Sequence, residues 1–205
     1  MTTPKTLSSE ESFKLIDFLM TGYGTPKKKP MAVRNTTIAL LMLDAGLRIG
    51  EVVRLQEIDL LIAGVAVTNL NIREGIAEKR CERLVPVSAR LQANIWEMQR
   101  CWWSREADTP KNYAFYNKDS TSHISTRQIE RIIGSAAEAS IGRWVHPHIL
   151  RHTFASNLAR VTNIRVVQEL LGHKQLSSTM VYTHPNSDDK SAAIKALEKG
   201  AEVDK

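Results

Sequence analysis

The stretch His148-Ile149-Leu150-Arg151-His152 decides how this chain is read. Leu171-Gly172-His173 and then Tyr182 follow it. Together they set an arginine, several imidazoles and a phenol on a run of short helices. A buried aliphatic core has no use for that chemistry. A site that must hold a phosphate and attack it with a phenolic oxygen needs all of it. Far upstream, Ala45-Gly46-Leu47-Arg48-Ile49-Gly50-Glu51 supplies a second arginine. Guanidinium groups present planar, paired donors to phosphate oxygens, so two arginines distant in sequence can grip one phosphate from two sides.

Working outward, Pro147 occupies the first position of a helix that runs to about Arg160. Asn163 caps a short helix with Ile164, Val167, Leu170 and Leu171 on one face, closed by Gly172. Ser125 with Gln128 caps a helix through Ile129, Ile132 and Ile133, and Ser8 with Glu11 does the same ahead of Phe13, Ile16, Leu19 and Met20. Residues 31–45 read as an apolar helix (Ile38, Leu40, Leu41, Leu43) that stops near Gly46. Glu51 to Leu55 reads as a short helix turning Val52, Val53 and Leu55 inward, which leaves Arg48 on the bend. Val65 to Ile72 and Arg83 to Val87 alternate like strands around a polar hairpin, Arg73 to Glu82. A long helix from Ala89 to about Arg105 bears Leu91, Ile95, Trp96 and Trp102. Tyr113-Ala114-Phe115-Tyr116 reads as a third strand, and Lys190 to about Glu202 as a last helix. The expected fold class is mainly α with a small antiparallel β-sheet.

The set Gly-Leu-Arg48-x-x-Glu51, His148-x-x-Arg151-His152, Leu-Gly-His173 and Tyr182-x-His184 resembles the tyrosine recombinase, or phage integrase, family. Tyr182 follows His173 by nine residues, across the small polar run Ser177-Ser178-Thr179-Met180-Val181. The resemblance runs from about Leu7 to about His184 and covers the catalytic domain. It implies a recombinase catalytic fold and DNA cleavage through a 3′-phosphotyrosine, without metal, cofactor or ATP. Tyr182 is then the nucleophile. Arg48 and Arg151 clamp the nonbridging oxygens, while His148 and His173 donate hydrogen bonds or protons. Glu51, about one turn from Arg48, orients it. His152 resembles a packing position. The family's general-acid lysine falls in Glu78-Lys79-Arg80-Cys81-Glu82-Arg83. Counting back from Pro86 lands on Glu78, and a turn one residue shorter selects Lys79, with Arg80 the competitor. The same stretch also reads as a solvated charged hairpin.

The 205 residues suffice for one well-buried domain, and the net charge of +6 suits a polyanionic partner without proving one. Lys27, Lys28 and Lys29, with Arg34 and Arg80, are candidate contacts to a DNA backbone, and a lysine-rich loop is as readily solvated. Cys81 and Cys101 form neither a metal-ligand pattern nor a disulfide framework and fit a reducing cytoplasm. His146, His148 and His152 lack a carboxylate or cysteine that would complete a metal site. No apolar stretch approaches the ~18 residues of a membrane span.

The expectation is therefore a single catalytic domain over residues 1–205, cytoplasmic and nucleoid-associated on DNA, with no N-terminal core-binding domain. Residues 187–205 form a helix that docks on a neighbouring protomer or packs on its own domain. Partners are double-stranded DNA, further copies of the chain in a tetrameric synapse, and accessory DNA-binding proteins. The competing readings are a DNA-binding regulator of the same fold that no longer cuts, and a relaxing enzyme of topoisomerase IB type.

Overall fold

The computed structural model describes residues 6–21, 29–77, 82–103, 113–117, 122–173 and 177–180. Its elements run α1 (Ser9–Thr21), α2 (Lys29–Leu43), α3 (Ile49–Val52), α4 (Glu57–Leu60), β1 (Leu61–Ile62), β2 (Val65–Ala66), β3 (Asn69–Ile72) and β4 (Arg83–Pro86). Then come α5 (Ala89–Cys101), α6 (Thr126–Ile141), α7 (Pro147–Val161), α8 (Ile164–Leu171) and α9 (Ser177–Met180). The expected class, mainly helical with small antiparallel sheets, is what the chain adopts. The expected last helix from Lys190 lies outside the described residues.

Helix α2 is the central post. Ile38, Ala39, Leu40, Leu41 and Met42 are all fully buried, and the helix packs against α1, α5 and α7. A helix apolar on every side must be enclosed on every side. The local signals at helix ends act as read. The Ser8 backbone N–H donates to Glu11 Oε2 at 2.8 Å and the Glu11 N–H to Ser8 Oγ at 3.1 Å. Ser125 Oγ accepts from the Gln128 N–H, and Asn163 Oδ1 from the Arg165 and Val166 N–H groups. Arg143 Nε donates to Glu11 Oε1 at 2.9 Å, joining the segment after α6 to α1.

Three expectations change. The alternating run Val65 to Ile72 is two strands. Val65–Ala66 folds back on Leu61–Ile62 through the two-residue turn Ala63-Gly64, both with positive φ, whereas Asn69–Ile72 pairs antiparallel with Arg83–Pro86. Tyr113–Tyr116 makes two isolated bridges, to Gln56 and to His123, and no strand. On α1 the buried stripe is Leu15, Ile16 and Leu19, leaving Phe13 and Met20 exposed. Trp96 on α5 is likewise exposed and carries the Arg100 guanidinium on its ring face at 4.7 Å.

Candidate active site

The site begins at the bend after α2. Gly46 has φ of +62° and the Phe154 ring stands directly against it, so a side chain there would be both strained and blocked. The exposed backbone this leaves is used: the Gly46 carbonyl accepts from Arg151 Nη1. Arg151 lies on the second turn of α7, with only 5% of its surface exposed. Its Nη2 donates to the Leu171 carbonyl at 2.8 Å, satisfying one of the carbonyls left open at the end of α8. The same nitrogen lies 3.3 Å from His173 Nε2. One guanidinium thus joins the α2–α3 bend, the end of α8 and His173.

Glu51, fully buried, is the counter-charge at the centre. Its two oxygens accept from Arg83 Nη1 at 2.8 Å and Nη2 at 2.7 Å, a paired fork that fixes both groups. Glu51 Oε2 also accepts from the Arg48 backbone N–H at 2.8 Å, and Oε1 lies 3.3 Å from Arg48 Nη1. Arg151 Nη1 stands 3.9 Å from Oε2. Burial alone would raise the Glu51 carboxyl. The Arg83 hydrogen bonds and charge, the Arg48 N–H and the Arg151 charge outweigh it and hold the group below its ordinary value. Among the described residues, this one carboxylate faces three guanidiniums.

His173 follows Gly172, whose φ of +62° ends α8. Burial first, then Arg151, Arg48, Arg83 and His152, push its imidazole down to about 4, so the ring is neutral at physiological pH. Its Nδ1 lies 2.9 Å from the hydroxyl of Thr179, which is fully buried on α9. His148 is exposed on the first turn of α7. His152, one turn further along and half-buried, is pushed down by burial, then by His148 and Arg151.

Of the residues singled out by sequence, Arg48 and Arg151 come together at Glu51, His173 lies against Arg151, and His148 is on the same helix as Arg151. Lys79, Arg80, Tyr182, Lys27 and Lys28 lie outside the described residues. Lys29 is exposed at the start of α2, 3.3 Å from Glu97. Arg34 is placed against its expectation. It is 6% exposed, its Nε and Nη2 donate to Asn35 Oδ1, and it lies over the Trp102 ring at 4.9 Å. A side chain so enclosed is not an open phosphate contact. Among the described residues no three His, Cys, Asp or Glu side chains gather to hold a metal, and no helix is long and apolar enough to cross a membrane. A cleft of about 620 Å³ between α1, α2 and α6 is lined by Arg34, Asn35, Arg127, Gln128 and Arg131 among others. None of its walls comes from the Glu51 cluster.

Sequence reasoning missed Arg83. The signal was present, because alternation along Arg83-Leu84-Val85-Pro86 puts Arg83 on the inner face with Val85, and an inward arginine needs a carboxylate. Arg83 also binds the far side of the site: its Nε donates to the Leu170 carbonyl at 2.9 Å, and a Cβ on Gly172 would meet its Cδ and Nη1 at 3.1 Å. Thr179, read only as part of a small polar run, was missed because its partner is set by tertiary packing.

The family model for the phage integrase family matches residues 5–189. The chain belongs to the phage integrase family. This phage integrase chain is 30% identical to tyrosine recombinase XerC of Pseudomonas savastanoi pv. phaseolicola, across 98% of its own length and 64% of that protein. It superposes on the crystal structure of XerA recombinase with a TM-score of 0.73 and 26% identity, covering 96% of this chain and 66% of that one. On XerH recombinase bound to palindromic difH substrate in a post-cleavage complex the TM-score is 0.74 at 22% identity, covering 95% and 53%. The phage integrase chain therefore spans less than two thirds of the length of these relatives.

Proposed function

We propose that this chain is a site-specific DNA recombinase that cuts and rejoins DNA through a 3′-phosphotyrosine intermediate, for integration, excision or inversion. The observation that supports this reading most is the meeting of three separate motifs: Arg48 and Arg151 both face the buried Glu51 carboxylate, and His173 lies against Arg151. The recombinase activity in the names of the XerC and XerA relatives supports it.

In the proposed reaction Tyr182 Oη attacks the scissile phosphorus. The new P–O bond forms as the bond to the 5′ oxygen breaks, and the leaving oxygen takes a proton from Lys79, or from Arg80 if the turn is one residue different. Arg48 and Arg151 hold the nonbridging oxygens, where charge grows in the transition state. His148, exposed on α7, donates a further hydrogen bond. The phosphodiester energy is kept in the phosphotyrosine, so a 5′-hydroxyl from the exchanged strand reverses the step without ATP. The cleft beside α6, where Arg127 and Arg131 stand and no acidic side chain lines it among the described residues, offers a second basic surface to the duplex, with Lys27, Lys28 and Lys29 as further contacts. Exchange between two duplexes takes four cuts, so a tetramer on DNA belongs to the proposal, with residues 187–205 docking between protomers. Accessory DNA-binding proteins and a nucleoid location belong to it as well.

The test is a nicked duplex built on a recombination site, sought as inverted repeats around a short spacer in the DNA flanking the gene. Wild type should trap a covalent protein–DNA adduct, with or without EDTA, and Tyr182→Phe should trap none. An equal yield from Tyr182→Phe would overturn the reading. A 5′-bridging phosphorothiolate, whose leaving sulfur needs no proton, should rescue Lys79→Ala. Rescue of Arg80→Ala instead moves the acid by one residue.

A further inference from the structure

His173 is held at both nitrogens. Nε2 lies 3.3 Å from Arg151 Nη2 and Nδ1 lies 2.9 Å from Thr179 Oγ1. A guanidinium only donates. Nε2 must therefore accept, which puts the ring proton on Nδ1 and makes the Thr179 hydroxyl the acceptor. That tautomer is wrong for a phosphate, since the Nε2 lone pair would face an oxygen lone pair. To donate to a phosphate oxygen the neutral ring must carry its proton on Nε2, and Nδ1 then needs a donor. A carbonyl could not supply one and an ammonium could not have accepted before. A hydroxyl does both by rotating about its C–O bond. Thr179 is fully buried, so water is not there to take its place, and it stands three residues before Tyr182.

We propose that Thr179 is a positioning residue that serves His173 in both neutral tautomers, accepting from Nδ1 in the free protein and donating to Nδ1 once a DNA phosphate displaces Arg151 from Nε2. The ring loses one proton at Nδ1 and gains one at Nε2 while its contacts rearrange, so its net charge does not change. The burial and the arginines that keep His173 neutral favour this exchange over protonation. The same hydrogen bond ties the segment leading to Tyr182 to the arginine that grips the phosphate. The inference rests on the recombinase reading of the site.

The imidazole 15N shifts of the full chain, labelled at histidine, report the tautomer directly. The free protein should show His173 protonated on Nδ1, and the complex with uncut duplex should show it protonated on Nε2. Protonation on Nε2 in the free protein, or on Nδ1 in both states, overturns the proposal without any substitution. Thr179→Val keeps the shape and removes the hydroxyl. It should slow single-turnover cleavage of the nicked duplex by about tenfold, the effect of stranding one buried polar group, with DNA affinity unchanged. Thr179→Ser should restore most of the rate. Cleavage by Thr179→Val at the wild-type rate would overturn the role. If wild type showed the expected tautomers but trapped no adduct, the recombinase reading would fail and the hydrogen-bonding role would stand.

Discussion

Two touching regions of this molecule are equally buried by opposite means. Helix α2 is enclosed through Ile38, Leu40, Leu41 and Met42, each fully buried. The seam beside it, where α3, α7, α8 and β4 meet, is closed by Glu51, Arg83 and Arg151, at 0%, 7% and 5% exposure. Hydrocarbon burial is non-directional and tolerates repacking. Burying these three charged partners carries a desolvation penalty that only good geometry offsets, and an apolar seam of the same volume would hold the helices as well. The charged seam is explained by what it presents: fixed positive charge, already oriented before a phosphate arrives.

The comparison can be broken most severely at its centre. Glu51→Ala leaves Arg83 and Arg151 buried without their carboxylate and should destabilise the protein by about 3–5 kcal/mol in urea unfolding. A loss under about 1 kcal/mol would mean the seam is not held by charge. Leu41→Ala should cost about 2–5 kcal/mol through the cavity it leaves, while the folded protein cleaves nicked DNA at the wild-type rate. Arg48→Ala should do the reverse. Its side chain is partly exposed and meets Glu51 only at 3.3 Å, so stability should change little while cleavage falls by about a hundredfold. If Arg48→Ala and Leu41→Ala affected rate and stability alike, the division of labour would be wrong.

A smaller effect lies in the pH dependence. His173 is neutral in the fold, with its pKa pushed down to about 4, and takes up a proton in the unfolded chain below about 6.5. Its contribution to stability is therefore full above pH 6.5 and falls as pH drops toward 4. His152, depressed chiefly by burial, acts in the same direction. The Glu51 contribution is lost only at lower pH, as its depressed carboxyl is protonated. His173→Asn should flatten the stability slope between pH 6.5 and 4, and an unchanged slope would contradict a neutral His173.

What was legible in the sequence follows the range of the forces involved. The Ser8–Glu11 box, the Ser125 and Asn163 caps, Pro147 and Gly172 act within one helical turn, and each ends or starts a helix where it was read. The motif residues Arg48, Arg151 and His173, singled out by chemistry and spacing, are brought near one another by the fold, and their roles belong to the proposal. Alternation does not name a strand's partner, so one alternating run became two strands with different partners, and Tyr113 bridges to the distant Gln56 while Tyr116 bridges to the nearby His123. The same is true of Arg83 and Thr179, whose roles come from Glu51, Leu170 and His173 brought up by the fold. Arg34 looked like a surface cation by type and is enclosed by its neighbour Asn35 and by Trp102, which the end of α5 brings up.

The most direct test of the central claim is the identity of the residue that carries the DNA. The adduct trapped on a nicked duplex is digested with protease and nuclease, and the modified peptide is sequenced by mass spectrometry. The account predicts a single nucleotide-bearing peptide, linked through a 3′ phosphate to Tyr182. A 5′ linkage, or a linkage to any other residue, would contradict it.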